Sequence, residues 1–298
     1  MPEYDLARFR DNLFRHSRLA VLTGAGISAA SGIPTYRDDR GDWQRSDPIQ
    51  HRDFLEQAEA RQRYWARSMA GWPAVMRARP NRAHQALAEL ESRGQVAALV
   101  TQNVDRLHQR AGHREVVDLH GRLDRVRCLD CGELSTREAL QDTLKSLNPG
   151  LKPGSLAGGG VVAPISEAAE DPGDVTPLVT RARPDGDADV PDSLVSGFKT
   201  PGCQACGGTL MPDVVFFGGS VPRERVDASM AAIESSDALL VVGSSLMVYS
   251  GFRFARHANR LGKPLYIINR GKTRADDLAN AKLEADCEEA LEFMVTTS

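Results

Sequence analysis

Lysine does not appear before Lys145, and arginine carries the positive charge of the first half of the chain. That is a compositional bias, to which no function attaches. Other absences exclude more. No apolar run approaches the roughly 20 residues that span a bilayer. The start, Met1-Pro2-Glu3-Tyr4-Asp5, has no apolar core of a secretory signal, and Asp5 and Asp11 do not suit a transit peptide. A cytoplasmic protein with no membrane partner is therefore expected. Cysteine is scarce: five in 298 residues. In the cytosol, so few argue against a disulfide framework and for metal ligation or reactive thiols. No excess of one charge exists either, since the net charge is −3. No nucleic acid is expected as the main partner. No lone Ser or Cys sits in a nucleophile elbow, and no paired-carboxylate pattern is present. The chemistry is then expected to lie with a cofactor that carries the electrophile.

What is present is a repeated order of short apolar runs and helical patterns. Leu6, Phe9, Leu13 and Phe14 have helical spacing before the apolar run Leu19–Leu22. A helical region is expected over 53–77, with Asp53 as N-cap, and another from Pro80 to Gly94. Val96–Val100 and 115–119 read as strands. After the middle of the chain the order resumes: 213–219 as strand and glycine turn, 223–234 as helix, 238–242 as strand, 252–261 as helix, 264–268 as strand, and a final helix after Cys287. This predicts an α/β fold with a doubly wound, parallel, Rossmann-like sheet. It would be formed by residues 1–121 and 213–298, with the cofactor loop and the helical part of the small domain at 34–80. Residues 122–212 would form a smaller zinc-ribbon module, interrupted at about 147–202. There, between Leu151 and Phe198, eight acidic residues face three basic ones amid Gly, Pro and Ala, which reads as a long, partly flexible insertion.

The first apolar run leads into Thr23-Gly24-Ala25-Gly26-Ile27-Ser28. Glycines after a strand let the backbone turn tightly against a pyrophosphate, and a following helix start offers free N–H groups. Gly24, Gly26 and Ala29 meet the loose Gly-x-Gly-x-x-Gly/Ala form, which is weak alone. The acidic ribose partner expected about 20 positions later is missing. Instead Pro34-Thr35-Tyr36-Arg37 leaves the turn almost at once, as a lid over a ligand would. Three more polar clusters follow expected strands: Gln102-Asn103-Val104-Asp105, Gly243-Ser244-Ser245 and Asn269-Arg270-Gly271. In a parallel sheet such ends share one edge and converge on one ligand. His120, also after a strand, is a candidate general base.

Cys128-x-x-Cys131 and Cys203-x-x-Cys206 are two knuckles, each followed by Gly. Four thiolates suit one structural zinc, since a closed set leaves no position for substrate. The 71 residues between Cys131 and Cys203 far exceed the usual ribbon spacing. The acidic insertion accounts for this if it loops out of one ribbon turn. Two separate thiol pairs are the alternative.

These residues together resemble the sirtuins, the NAD-dependent protein lysine deacylases. The resemblance rests on Gly24–Ser28 with Ser31-Gly32-Ile33-Pro34-x-Tyr36-Arg37, on 101–105 with Leu107-His108, on His120-Gly121, and on the knuckles. It extends to 212–218, 243–245 and Asn269, and leaves out only the insertion. The wording of 213–219 and 241–250 is most similar to the class II branch. The resemblance implies NAD and one structural zinc as cofactors, and acylated lysine side chains of proteins as partners. It implies that Gly24, Ala25, Gly26, Ile27, Ser28 and Ser31 hold the pyrophosphate, and that Pro34, Tyr36 and Arg37 begin the mobile cofactor loop. Gln102, Asn103, Val104 and Asp105 would meet the nicotinamide end. Gly243, Ser244, Ser245, Asn269, Arg270, Gly271 and the Cys287 backbone would hold the adenosine half. His120 would be the base. Val214, Val215, Phe216, Phe217 and Gly218 would pair with substrate backbone as an added strand. The implied reaction has the acyl oxygen attack the nicotinamide ribose, so that nicotinamide leaves and the acyl group ends on ADP-ribose. Tyr36 stands where many sirtuins have Phe. Tyr64-x-x-Arg67 is similar to a pair that grips acidic acyl groups in another sirtuin class, and an Arg suits a carboxylate. Two other readings stay open: mono-ADP-ribosyl transfer to protein, and a non-catalytic NAD or ADP-ribose-binding module.

Overall fold

The computed structural model describes residues 3–38, 40–42, 48–149, 183–188, 190 and 192–296. Two compact units divide the chain: Met1–Ser46, Arg79–His120 and Val221–Ser298 form the first, and Asp47–Ala78 and Gly121–Ser220 the second.

In the first unit, α1 (Glu3–Leu13) leads to β1 (Leu19–Thr23), and a short 3-10 helix (Ala25–Ser31) follows. Most of the chain between this helix and α4 belongs to the second unit, whose helices are α2 (His51–Glu56) and α3 (Ala58–Arg77). The first unit resumes with α4 (Arg82–Ser92), β2 (Val96–Thr101), α5 (Leu107–Arg110) and β3 (Val116–Asp118). The second unit then supplies β4 (Gly121–Cys128), β5 (Leu134–Thr136), α6 (Arg137–Leu147), α7 (Asp192–Val195) and β6 (Leu210–Val214). Back in the first unit come α8 (Arg223–Glu234), β7 (Ala238–Val242), α9 (Tyr249–Arg260), β8 (Leu265–Ile268), β9 (Ala281–Leu283) and α10 (Cys287–Thr296).

The six strands of the first unit pair in parallel in the order β3-β2-β1-β7-β8-β9. Counted within that sheet this is 3-2-1-4-5-6, the doubly wound order. Its strands are nearly continuous apolar runs because both faces are covered. Leu19, Val21, Leu240, Val242 and Ile268 face a core built with α1, α4 and α10. Their neighbours Ala20, Leu22, Leu239, Val241 and Ile267 face the opposite core, with α8 and α9. A one-residue slip in any of these strands would exchange the two sets.

Local signals placed several boundaries. Asn81 caps α4, accepting from the backbone N–H groups of Ala83 and His84 in a capping box. Asp53, expected as a cap, lies inside α2, whose N-cap is Gln50. The short β9 was absent from the sequence reading.

The second unit corrects two expectations. The strand expected in the parallel sheet at 213–219 is instead β6, which ends at Val214 and pairs antiparallel with β4 in a three-stranded sheet of order β5-β4-β6. Periodicity reveals a buried strand but not its partner. The unit itself runs to Ser220 and includes Asp47–Ala78. The insertion expected at about 147–202 ends in packed structure: Arg183, Asp187, Ala188, Val195 and Phe198 are buried. The rest of that expectation, at 150–182, lies outside the described residues.

Candidate active site

The crevice of an open parallel sheet forms where strand order reverses, here between the C-terminal ends of β1 and β7. Backbone packs unusually close at this point. The Gly24 N–H donates to the Val242 carbonyl at 3.1 Å, and the Gly26 N–H to the Gly243 carbonyl at 2.8 Å. A Cβ on Gly26 would lie 2.9 Å from the Gly243 Cα and carbonyl oxygen, and Gly243 itself has φ +61°. Glycine is needed here both for contact and for conformation. The 3-10 helix opens from this contact and ends on Gly32 (φ 81°), which explains the early exit of the chain.

The end of β2 closes one side of the crevice. The Asn103 side-chain amide donates to the Gly24 carbonyl at 3.0 Å and to Ser28 Oγ at 3.1 Å. Ser28 Oγ donates to Asp105 Oδ2 at 2.7 Å, while the Leu107 N–H donates to Asp105 Oδ1 at 2.9 Å. Burial nevertheless pushes the Asp105 carboxyl above its ordinary range. The Gln102 amide donates to Ser244 Oγ at 2.8 Å, joining β2 to β7 across β1. Val104 is buried beside them. Asn269, after β8, donates its amide to the Arg270 carbonyl at 2.6 Å, and its own N–H bonds the Leu283 carbonyl. Arg270 pairs with Asp286 at 3.2 Å. Cys287 is buried at the start of α10, its thiol pushed up to about 12 by desolvation. Ser245, whose carbonyl accepts from the Arg274 N–H, is half-buried. Thr35 Oγ1 donates to the Arg37 carbonyl at 2.8 Å, and the Arg37 guanidinium to the Gly41 carbonyl at 2.7 Å, so the loop after Pro34 is tied to itself, with Tyr36 half-buried.

His120 follows β3. Its Nδ1 lies 3.0 Å from the Gln102 carbonyl, and its Nε2 lies 2.9 Å from Ser250 Oγ. A carbonyl can only accept, so Nδ1 carries the proton and Nε2 keeps its lone pair. Desolvation lowers this imidazole to about 4; the Gln102 carbonyl opposes it as the next largest effect, and the positive charges of Arg225 and Arg253 add smaller downward ones. His120 is neutral, and able to accept a proton, throughout the neutral range.

These residues fit a dinucleotide. Gly24, Gly26 and Gly243 make a backbone cradle that any side chain would fill. Inside the cradle helix, Ser31 Oγ is buried without a hydrogen-bond partner. Gln102, Asn103, Ser244 and Asn269 offer polar groups along the same sheet edge. Sequence reasoning named the stretches that hold Ser250, Thr23 and His108 but gave these three residues no role in the site. Thr23 Oγ1 donates to Thr101 Oγ1 at 2.8 Å and meets His108 Nε2 at 2.9 Å beneath the cradle. The only signal for Ser250 was its position at the start of a helix.

His108 belongs to a buried row of three imidazoles. Its ring centroid lies 4.8 Å from that of His84 and 5.2 Å from that of His113. Burial lowers His84 to about 3 and moves His108 and His113 downward, although Glu91, 3.4 Å from His113 Nδ1, opposes this last shift. With His120, four histidines bind protons more weakly folded than unfolded. Their contribution to stability is complete above the unfolded value near 6.5 and declines as pH falls from there toward the folded values. Asp105, Asp185 and Asp187 have the opposite sign, burial raising their carboxyls and that of Asp187 to about 7, and they offset part of this. Denaturant melts should show unfolding free energy falling between pH 6.5 and 4.5 by less than four histidines alone would give, and a rise over that range would contradict the buried, neutral assignment.

In the second unit, the four cysteine Sγ atoms lie within 4.8 Å of one another. Cys128 and Cys206 are 3.5 Å apart at sulfur, and Cys131 and Cys203 3.8 Å. A tetrahedron with Zn–S bonds of about 2.3 Å has edges of roughly 3.8 Å, so the donor set fits zinc. The alternative of two separate thiol pairs has no support in this placement.

Tyr64 and Arg67 are committed differently from the expected acyl grip. Tyr64 packs edge-on against Phe54, Trp65 and Phe216, and burial raises its phenol. The Arg67 guanidinium pairs with Asp187 Oδ1 at 2.9 Å, both side chains being nearly buried, and also donates to the Ala188 carbonyl. A carboxylate of the chain thus already engages this guanidinium. Arg67→Met should destabilise the second unit, because the buried Asp187 would lose this cation and keep the Ala188 N–H and the charge of Arg183. The ratio of succinyl- to acetyl-lysine turnover should stay unchanged. A collapse of that ratio without loss of stability would restore the acyl-grip role.

The expected substrate strand, Val214–Gly218, is partly engaged within its own unit. Val214 pairs with Gly121, Phe216 is a core side chain, and Gly218 has φ +76°. The Phe216 carbonyl accepts from Gly219, and the Phe217 carbonyl from His51. Val215 is half-buried.

The fold and the crevice define a dinucleotide-binding class of protein with a buried, neutral histidine at the crevice and, in its second unit, four thiols placed to hold a metal ion. The chain belongs to the Sir2 family, whose model matches residues 24–250. It is 49% identical over 286 residues to "NAD-dependent protein deacetylase 2" of Bradyrhizobium diazoefficiens, covering 96% of each chain. It is 51% identical over 292 residues to the NAD-dependent protein deacetylase of Bordetella bronchiseptica, covering 98% of each. A solved Sir2 complex with p53 peptide and NAD+ superposes with TM-score 0.71 at 28% identity, over 96% of this chain and 95% of that one.

Proposed function

We propose that this protein removes acyl groups from lysine side chains of proteins, with NAD consumed in the reaction. The observation that carries the reading is the fixed tautomer of His120 at the edge of the switch-point crevice. NAD, when bound, supplies the ribose carbon that accepts the acyl oxygen as nicotinamide departs. The chain's own residues do the rest. Gly24, Gly26 and Gly243 let backbone approach the phosphates. Asn103, Ser28 and Asp105, tied together, hold the floor beneath the nicotinamide end. The loop from Pro34 through Arg37 excludes water, which would otherwise intercept the activated sugar. His120 Nε2 takes a proton from a ribose hydroxyl and so makes that oxygen nucleophilic.

In the second unit, Cys128, Cys131, Cys203 and Cys206 hold a structural zinc. Its closed thiolate set leaves no open position, so it takes no part in the chemistry. The thiol set needs a reducing compartment, which supports a cytoplasmic location. No described helix is long and apolar enough to cross a membrane. The placement in the class II branch rests on the wording of 213–219 and 241–250.

Nicotinamide release from NAD should depend on an acylated peptide. A panel of acetyl-, succinyl-, glutaryl-, lipoyl- and long-chain acyl-lysine peptides tests this and ranks the acyl groups. Release that labels protein with ADP-ribose instead would favour transferase activity, and no release with any peptide would favour a binding module.

A further inference from the structure

We propose that Ser250 is the positioning residue of the general base, holding the His120 Nε2 lone pair aimed until a ligand hydroxyl takes its place. This rests on the deacylase reading of the site. Three observations carry it. Because the Gln102 carbonyl fixes the proton on Nδ1, the contact at 2.9 Å can only run one way in the neutral ring: the Ser250 hydroxyl donates to Nε2. The imidazole is thus clamped at both nitrogens, by the end of β2 and by the first turn of α9. That turn is itself seated on the same partner. A Cβ on Gly251 would lie 2.4 Å from Gln102 Oε1, so the helix start and the Gln102 side chain are in contact. Gln102 in turn is tied to Ser244. The residue that fixes the tautomer and the residue that occupies the lone pair belong to one packed group.

Nε2 is the atom that must receive the ribose proton, and Ser250 Oγ lies against it. A hydroxyl rotates at little cost, so it can yield Nε2 to a ligand hydroxyl without any backbone movement. It donates to the lone pair of the neutral ring and would accept from the charged one, so what it fixes is the aim of Nε2 rather than its charge. The charge is disfavoured by desolvation and by Arg225 from α8 and Arg253 from α9, the latter lying over the Tyr249 ring.

Nitrogen NMR on the full chain with labelled histidine tests this without any ligand. Wild type should show His120 as the Nδ1–H tautomer, with the Nε2 resonance displaced by the hydrogen bond it accepts. In Ser250→Ala that resonance should move to the position of an acceptor without this donor, and kcat should fall roughly two- to tenfold, the equivalent of one neutral hydrogen bond, with KM changed less. Ser250→Thr, which keeps the hydroxyl, should restore both. If the Ala variant melts early, Ser250→Cys keeps the shape with a weaker donor and should move the resonance in the same direction. An unchanged Nε2 resonance in the Ala and Cys variants overturns the proposal, as does a Thr variant that behaves like Ala. Failure of the deacylase reading is separate. It would show as absent peptide-dependent nicotinamide release in wild type, while the NMR result still decides the role of Ser250.

Discussion

His120→Ala should lower the rate of deacylation by about 10²–10⁴-fold, the range that a positioned base contributes. NAD binding measured by calorimetry should stay within a few-fold of wild type. The two outcomes separate because the residues that would carry phosphate and adenosine binding, Gly24, Gly26, Ser244 and Asn269, make no recorded hydrogen bond to the imidazole. What His120 touches is the Gln102 carbonyl and Ser250 Oγ. Its removal leaves those groups to water rather than collapsing the cradle. The pH profile follows from the same geometry. Desolvation holds the ring near 4, so the acid limb assigned to this base should lie well below the ordinary histidine value. His120→Asn offers a polar group without a titrating nitrogen and should leave the rate just as low. A His120→Ala variant that deacylates at the wild-type rate would remove the base from this residue.

Much of this site was legible before the structure because backbone requirements leave marks in the sequence. Gly24 and Gly26 are there because another backbone, that of Gly243, passes within bonding distance. Gly121 is explained the same way within the second unit: at φ +89° its Cβ would lie 2.1 Å from the Asp213 carbonyl oxygen. The acidic partner of the glycine turn is missing, and polar residues after β2, β7 and β8 line the same sheet edge. The parallel, doubly wound sheet followed from alternating strands and helices, though its strand order did not. What stayed hidden was pairing. The 210–214 strand reads like the others, yet its ladder is with β4, because nothing in a short apolar run names its neighbour. Arg67 was hidden for a related reason. Its partner Asp187 lies 120 positions on, at the end of a stretch whose composition suggested solvated loop. Composition averages over a segment, whereas one buried ion pair depends on single residues. Ser250 carried no marker at all, since a serine near a helix start is ordinary.

Removal of the metal should have the second large effect. Purified protein should contain one zinc per chain, and a strong chelator should unfold the second unit's small sheet while the parallel sheet keeps its secondary structure. Apart from the thiols, the two knuckles are joined by surface hydrogen bonds, the Leu129 N–H to the Thr209 carbonyl and the Thr209 N–H to Asp130 Oδ2. Each knuckle is a tight turn: the Gly132 N–H bonds the Cys128 carbonyl at 3.2 Å, and the Gly207 N–H the Cys203 carbonyl at 2.7 Å. Only two of the four thiols are buried, those of Cys128 and Cys203, so Cys131 and Cys206 contribute ligation rather than core packing. The exposed Leu129 and Leu134 show how thin the apolar cover is at this end. Structural zinc in small modules contributes apparent binding free energies of about 10–16 kcal/mol, most of which appears as folding free energy. Replacing an exposed ligand, Cys206→Ser, isolates that term, because no core volume is lost with it. The variant should lose its zinc and lower the unfolding midpoint of the second unit to nearly the same extent as chelation. If Cys206→Ser keeps full stability while wild type proves metal-free and its thiols pair oxidatively, the four cysteines are two redox pairs and the zinc assignment fails.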